Sequence, residues 1–503
     1  MNWKIIVKSL GHPEMRKRIF AVLGILLVFR VLAHIPVPLA DPETLKQVLE
    51  NLFASADTPQ LLSFINILSG GALANFSIMI AGLGPYINAS IIMQLLSKAL
   101  PKLEAMRKEG ESGQRKINQY TRMLTFPLAI LQSIGAIYLI RATAQQVGGI
   151  GDITASATLM QWVLMVAALT GGSMLLMWMG EQITERSIGN GISLLITVGI
   201  VASLPATIGS LVSSAFSGGS KLSILGYELS LNWTGVGFML LLALIVVGVT
   251  WIVVKLNEAA RRLTVNYAKR VQGNRTYGGV TTTLPVKLIS AGVIPIIFAV
   301  AFLSVPSFAG QLMAGSASQR LQEIGNNLML WFQTPTTETL TTGGWEAYIY
   351  PITYFLLVFM FTFFYTSITF NSKDIAENLQ KQGGFIEGVR SGLQTEHHLS
   401  KIVSRLTLFG AFALGMLALM PIIGQAFIAN QAIAIGGTSV LILVSVSLET
   451  LRAVESRALM VTYDQYAQPD FFHETTEEDI ESPKKRRFSL MPFRRRSKGP
   501  KPK

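Results

Sequence analysis

The chain has 503 residues, of which 50% are hydrophobic and only 14% charged, and its mean hydropathy is +0.45. A soluble domain carries roughly a quarter charged residues, so this composition excludes an ordinary soluble enzyme or binding domain. The absence of cysteine further excludes disulfides, thiolate nucleophiles and cysteine-ligated metal sites.

Apolar runs of about 20 residues can cross a hydrocarbon core of roughly 30 Å. Such runs fall at 17–35, 75–98, 119–141, 159–180, 190–213, 236–256, 286–308, 348–370, 403–427 and 437–459. The expected fold class is an all-α membrane protein with ten transmembrane helices. The alternating pattern of a membrane barrel is absent. The first run follows Arg16-Lys17-Arg18 and could mimic a secretory signal, but Arg30 interrupts it and nine more runs follow, so no cleavage is expected.

The segment 61–75, LLSFINILSGGALAN, is too short and too rich in Gly, Ser and Asn to span. It reads either as a re-entrant piece sheltered by protein or water, or as an interfacial helix. The long loop 214–235 has five runs before it and five after it. An odd number per half inverts the second half relative to the first, an arrangement that commonly frames a central pathway. The expected units are therefore 1–213, an external hinge loop 214–235, 236–463 and a tail 464–503.

Charge sets the orientation. Residues 1–18 hold five Lys or Arg against one Glu, and loop 255–287 holds seven against Glu258. Loop 36–60 has Lys46 against Asp41, Glu43, Glu50 and Asp57. The positive-inside rule then puts both termini in the cytoplasm. Of the net charge of +13, most belongs to the tail: Ser482–Lys503 carries ten basic residues and no acid, leaving 32 basic against 29 acidic elsewhere. An acidic stretch, Glu474 to Glu481, precedes it. This composition suggests a disordered tail able to meet anionic lipid or RNA, or simply a solvated one.

The five histidines, at 12, 34, 397, 398 and 473, make no metal-ligand spacing, and neither a Walker loop nor a GxSxG elbow is present. No enzyme activity, cofactor or metal is expected. A solute transporter would need ionisable groups near the midplane. Arg30 and Glu449 are the clearest candidates, but both lie toward the cytoplasmic half of their runs. A coupled transporter is the alternative reading, and a non-conducting scaffold a third.

Short motifs make the reading specific. In chain order they are His34-Ile35-Pro36-Val37-Pro38, Ser69-Gly70-Gly71-Ala72-Leu73, the run from Gly84-Pro85-Tyr86 to Gln94-Leu95-Leu96, and Lys108-Glu109-Gly110-Glu111-Ser112-Gly113. Gly180-Glu181-Gln182-Ile183-Thr184-Glu185-Arg186 is followed by Ile188-Gly189-Asn190-Gly191-Ile192-Ser193. Then come Val265-Asn266-Tyr267-Ala268-Lys269-Arg270, Ala291-Gly292-Val293-Ile294-Pro295 and Gly436-Gly437-Thr438-Ser439. Over roughly residues 10–465 the chain resembles the SecY family, the channel subunits of the bacterial Sec protein translocase.

The resemblance implies two five-helix halves around an hourglass pore for unfolded secretory polypeptides, with lateral release of apolar segments into the cytoplasmic membrane. Segment 61–75 would be its plug, with Ile65, Leu68, Ser69, Gly70, Gly71, Ala72 and Leu73. The pore ring would be Leu83, Ile87, Ile192, Ile196, Ile297 and Ile442. An apolar constriction dewets when empty, and both i,i+4 pairs share one helix face. The lateral gate would include Gln94 and Gln132, with Ile289 standing where the family usually has Asn.

Docking of the ribosome or the SecA motor ATPase falls by resemblance to loops 255–287 and 371–403, with Arg261, Arg262, Lys269, Arg270, Arg275 and Arg390. The family's double arginine is weakened here, since Asn274 precedes Arg275. Implied partners also include the small SecE and SecG subunits, signal sequences and nascent chains.

Overall fold

The structure, a computed structural model, describes residues 13–37, 77–148, 158–186, 189–216, 220–224, 227–231, 233–267, 270–272, 275–277, 279, 281–314, 318–332, 335, 344–428 and 431–467. The expected plug, Lys269 and the tail beyond Ala467 lie outside these residues.

The described chain is mostly helical, and many of its helices are apolar. Helix α1 (Pro13–Leu32) ends as Pro36 approaches, because proline disfavours helical conformation in the residue before it. Its buried residues Met15, Val22 and Phe29 form a narrow stripe, while Phe20, Leu23, Leu27 and Val31 are exposed. A helix that is apolar on its outer face as well as its inner one suits lipid rather than water.

Helices α2 (Gly84–Ala99), α3 (Pro101–Lys108), α4 (Glu111–Gly148), α5 (Leu159–Glu185) and α6 (Gly191–Phe216) follow. A hairpin of β1 (Ser220–Ile224) and β2 (Tyr227–Leu231) occupies the segment expected as a plain loop. Helix α7 (Trp233–Glu258) leads into β3 (Ala260–Tyr267), the small hairpin β4 (Arg270–Gln272) and β5 (Arg275–Tyr277), and β6 (Thr281–Lys287). Next come α8 (Ile294–Ala314), α9 (Gln319–Phe332), a 3₁₀ turn at Trp345–Tyr348, α10 (Ile349–Thr369), α11 (Ser372–Lys381) and β7 (Gly384–Ile386). Helices α12 (Leu393–Ile428) and α13 (Gln431–Ala467) complete the order.

A helix stands at each of the ten apolar runs, but two begin later than expected. The second becomes regular only at Gly84, because Ser77–Leu83 is a turn with Gly82 at φ +59°, and Pro85 then sits in the first helical turn. The seventh begins at Ile294, because Lys287 closes a strand and Gly292 turns the chain at φ +62° before Pro295. Both prolines occupy the helix start, where no backbone donor is lost. Helix α9 lies in a stretch not expected to be helical; it packs on α8 where Gly310 approaches the Gly325 carbonyl and Leu328.

By length and composition, Leu159–Glu185, Trp345–Lys381 and Leu393–Ile423 are long and apolar enough to cross a membrane. Gly191–Pro205 and Ile294–Gly310 are apolar but shorter. The second helix has only 16 residues, and the first carries Arg16, Lys17, Arg18 and Arg30.

Hydroxyls inside these helices are satisfied locally. Thr121, Thr125, Thr362 and Thr366 each donate to the carbonyl four residues earlier. Charges are used sparingly: Arg122 of α4 pairs with Glu181 of α5 at 2.6 Å, and both Nη atoms of Arg452 on α13 donate to the Asn257 carbonyl at the end of α7.

One apolar core joins helices from both sides of the β1–β2 hairpin, from Val22 and Phe29 through Ile87, Ile196 and Ile297 to Ile442 and Val446. The two sides meet along two lines, α8 against α2 and α4, and α6 against α7 and α13. A second, smaller core forms at the other loops. Strands β6, β3 and β7 make an antiparallel sheet in that order, with Val265 opposite both Thr282 and Ile386. Beneath it Leu263, Val265, Val286, Leu379, Ile386, Leu399 and Ile402 pack together. Pro285 is tolerated because β6 is an edge strand. The two loops expected to dock partners are thus one folded unit.

Candidate functional site

The site begins with how α2 is aimed. Ser77 Oγ donates to the Leu32 carbonyl (2.8 Å), and the Ile78 amide donates to the Ile35 carbonyl (3.1 Å). On the far side Ser173 Oγ donates to the Gly82 carbonyl at 2.6 Å, and Gly172 lies against the Ile78 carbonyl with no space for a Cβ. Leu83, buried, then caps α2, its carbonyl accepting from the Ile87 amide (3.0 Å).

The glycine-rich motif after α5 aims α6 in the same way. The Gly191 amide donates to Thr184 Oγ1 (2.9 Å), and a Cβ at Gly191 would overlap the Gly180 carbonyl. Asn190 Oδ1 accepts from the amides of Ile192 (3.1 Å) and Ser193 (3.4 Å), a side-chain cap. The α5–α6 corner is therefore tight, and Ile192 and Ile196 follow directly from it.

Ile87, Ile192, Ile196 and Ile297 face a common cavity of about 80 Å³, together with Tyr86, Phe298 and Gln94. Its walls come from α2, α6, α8 and α10, thus from both sides of the hairpin. Leu83 and Ile442 are buried in the surrounding core but do not line this cavity. Adjoining it is a wider cavity of about 400 Å³, sharing Ile294 and Tyr365 and lined by Lys287, Glu449, Arg452, Ser290 and Thr369. The wider cavity has a mixed polar and apolar lining, and the smaller one is mostly apolar.

Gln94 and Gln132 are held by different contacts, and only Gln94 lines the smaller cavity. Gln94 Nε2 donates to Ser90 Oγ (3.1 Å), while its buried Oε1 has no donor among the described residues. Gln132 of α4 lies over Gly84 of α2, its Nε2 standing 2.6 Å from where a Cβ would be. Ile289 is placed elsewhere. It falls in the turn before α8, not within that helix, and is buried against Gly410 of α12. Its cavity neighbours include Val253, Leu414, Leu417 and Leu441, and none comes from α2 or α4. The structure does not join it to the two glutamines, because Gly292 turns the chain away before α8 begins.

Of the expected docking arginines, Arg261 and Arg262 are exposed on β3. Arg270 and Arg275 belong to the β4–β5 hairpin, opposite Tyr277 and Gln272. Arg390 is exposed in a turn between two positive-φ glycines, Gly388 and Gly392, and its carbonyl accepts from Thr395 Oγ1 at 2.9 Å. Glycine at both positions lets the turn project the arginine without backbone strain.

Sequence reasoning missed Tyr365, which walls both cavities, and Arg107 of α3, whose Nη2 donates to the Ile368 carbonyl at the end of α10 (3.4 Å). No spacing rule links positions so far apart. The interior glycines of α4 were a usable signal, since glycine within a helix usually has a packing reason.

A largely helical, apolar fold with a small cavity between helices from both sides of the hairpin suits a membrane channel. Residues 77–451 match the SecY family model. The chain is 38% identical to the protein translocase subunit SecY of Streptomyces coelicolor over 462 residues, covering 91% of this chain and 98% of that one. It is 38% identical to the subunit of Mycobacterium tuberculosis over 466 residues, covering 92% and 98%. Among solved structures, one described as "The structure of a protein conducting channel" has the same fold, with TM-score 0.61, 18% identity and coverage of 89% and 94%. Sec61 in the canine ribosome-channel complex gives TM-score 0.58 over the same shares. The chain belongs to the SecY family.

Proposed function

We propose that this chain is the protein-conducting channel of a Sec translocase, passing unfolded polypeptides across a membrane and releasing apolar segments sideways into it. Ten helices span, in two inverted halves, 1–213 and 236–463, joined through 214–235. The observation that carries the reading is the mostly apolar chamber of Ile87, Ile192, Ile196 and Ile297, adjoining a wider one that Lys287, Glu449 and Arg452 help to line. Apolar side chains seal against ions by dewetting yet impose no fixed shape on what passes. Leu83 and Ile442 support this ring from the core, and segment 61–75 acts as the plug.

The seam of α2 and α4 against α8 and α10 is the lateral gate, with Gln94 and Gln132 as its polar members. Arg261, Arg262, Lys269, Arg270, Arg275 and Arg390 form the docking face for a ribosome or the SecA motor, and SecE and SecG are its membrane partners. The membrane is the bacterial cytoplasmic one, with both termini in the cytoplasm and the basic tail available to anionic lipid. The relatives give no support to the solute-transporter alternative.

The test is site-specific crosslinking from a stalled secretory chain. Because the chain has no native cysteine, single cysteines at 87 and 192 report without background. Crosslinks at both positions are expected. Their absence, with gradient-driven flux of a small solute instead, would overturn the reading.

A further inference from the structure

Helix α4 carries Gly135, and a Cβ built there would overlap Cζ, Cε2 and Cε1 of Phe308 on α8. Gly135 is buried, and Phe308 is half-buried. The ring tip is therefore seated directly on the α4 backbone, in a socket that only glycine leaves open. One turn earlier on the same helix face, Gln132 lies over Gly84 of α2. At this level one face of α4 meets both α2 and α8. Glycine inside a helix costs about 1 kcal/mol relative to alanine, so its presence calls for a gain elsewhere, and close approach of helices in a membrane is such a gain. Pro306, two residues before Phe308, removes one donor from the α8 backbone ladder.

We infer that the seating of Phe308 on Gly135 determines which segments the channel accepts, by setting how apolar a segment must be before α4 and α8 part. The inference rests on the lateral-gate reading above. A segment entering the seam must lift the ring from its socket and replace that contact with its own side chains. Weakly apolar segments replace it poorly and are refused. The contact joins the two sides of the β1–β2 hairpin, so its loss acts on the opening itself rather than on one side's stability.

The experiment uses the full chain with its partner subunits in membranes, and reporters whose signal sequences are graded in leucine content. The quantity read is the ratio of weak-signal to strong-signal export, corrected for the amount of assembled channel. Gly135→Ala displaces the ring and should raise this ratio by about three- to tenfold, a range of about 0.7–1.4 kcal/mol. Phe308→Ala empties the socket and should raise it similarly. In Gly135→Ala/Phe308→Ala the added methyl occupies the vacated space, and the ratio should fall back toward the parent value. Effects of the two changes that simply multiply, or a ratio unmoved by Phe308→Ala, would overturn the socket. Phe308→Ala introduces no clash, so it decides the matter even if Gly135→Ala fails to assemble. Export by the parent with an unmoved ratio refutes the socket alone, whereas no export by the parent refutes the channel reading beneath it.

Discussion

Arg107 offers a direct measure of what holds α3 to the end of α10. Helix α3 connects α2 to α4, and none of its residues is buried. Lys108 bonds Glu104 at 3.0 Å and holds that carboxyl below its ordinary value, but both side chains are exposed and the pair does little for stability. Arg107 instead reaches from α3 to the Ile368 carbonyl of α10. That carbonyl is one of the last four of α10, which lack intrahelical donors, and the helix end carries partial negative charge. A charged donor to a carbonyl is worth up to about 1.5–3 kcal/mol when short. At 3.4 Å and partly solvated, about 0.5–1 kcal/mol is the reasonable figure. Arg107→Ala should therefore favour the open state by about two- to fivefold. In planar bilayers holding the channel with its partner subunits, the signal-peptide concentration for half-maximal current should fall by that factor. Arg107→Lys, which keeps the charge near the helix end, should fall between parent and alanine. Raising the salt should narrow the difference, since the contact is partly screened. Identical half-maximal concentrations for parent and Arg107→Ala at low salt would refute the clasp.

Ile196→Asn should wet the apolar chamber and raise resting ion conductance, and Ile87→Asn should do the same; ion-tight channels in both would remove these residues from the constriction. Arg390→Glu should slow translocation more than Arg390→Ala, through repulsion from an acidic partner, with channel amounts unchanged; normal rates would refute a docking role. Gly191→Ala, whose methyl would overlap the Gly180 carbonyl, should cost about 2 kcal/mol or more and lower the thermal unfolding temperature in detergent. Asn190→Ala, losing two amide contacts, should cost about 1 kcal/mol in the same measurement.

Much of the architecture was legible in the chain itself. Hydropathy is a local property, so each apolar run marks a helix without knowledge of its neighbours, and the glycine motifs mark the corners. Gly292 and Gly388 turn the chain at positive φ, and Gly191 admits a backbone no side chain could approach. The family resemblance rested on the same local motifs. Which apolar residues face inward was not legible. In a water-soluble helix the polar face identifies the buried one, but here lipid and interior are equally apolar, and Leu27 and Phe29 differ only in which surroundings they meet. Tertiary structure alone brought Ile87, Ile192, Ile196 and Ile297 to one chamber and left Leu83 and Ile442 in the wall behind it. It also placed Ile289 apart from the glutamines, joined the two loops expected to dock partners into one sheet, and set Arg107 against α10 and Phe308 on Gly135. These pairings link positions far apart in sequence, and only the way helices cross fixes them, because periodicity along one helix carries no information about its partner.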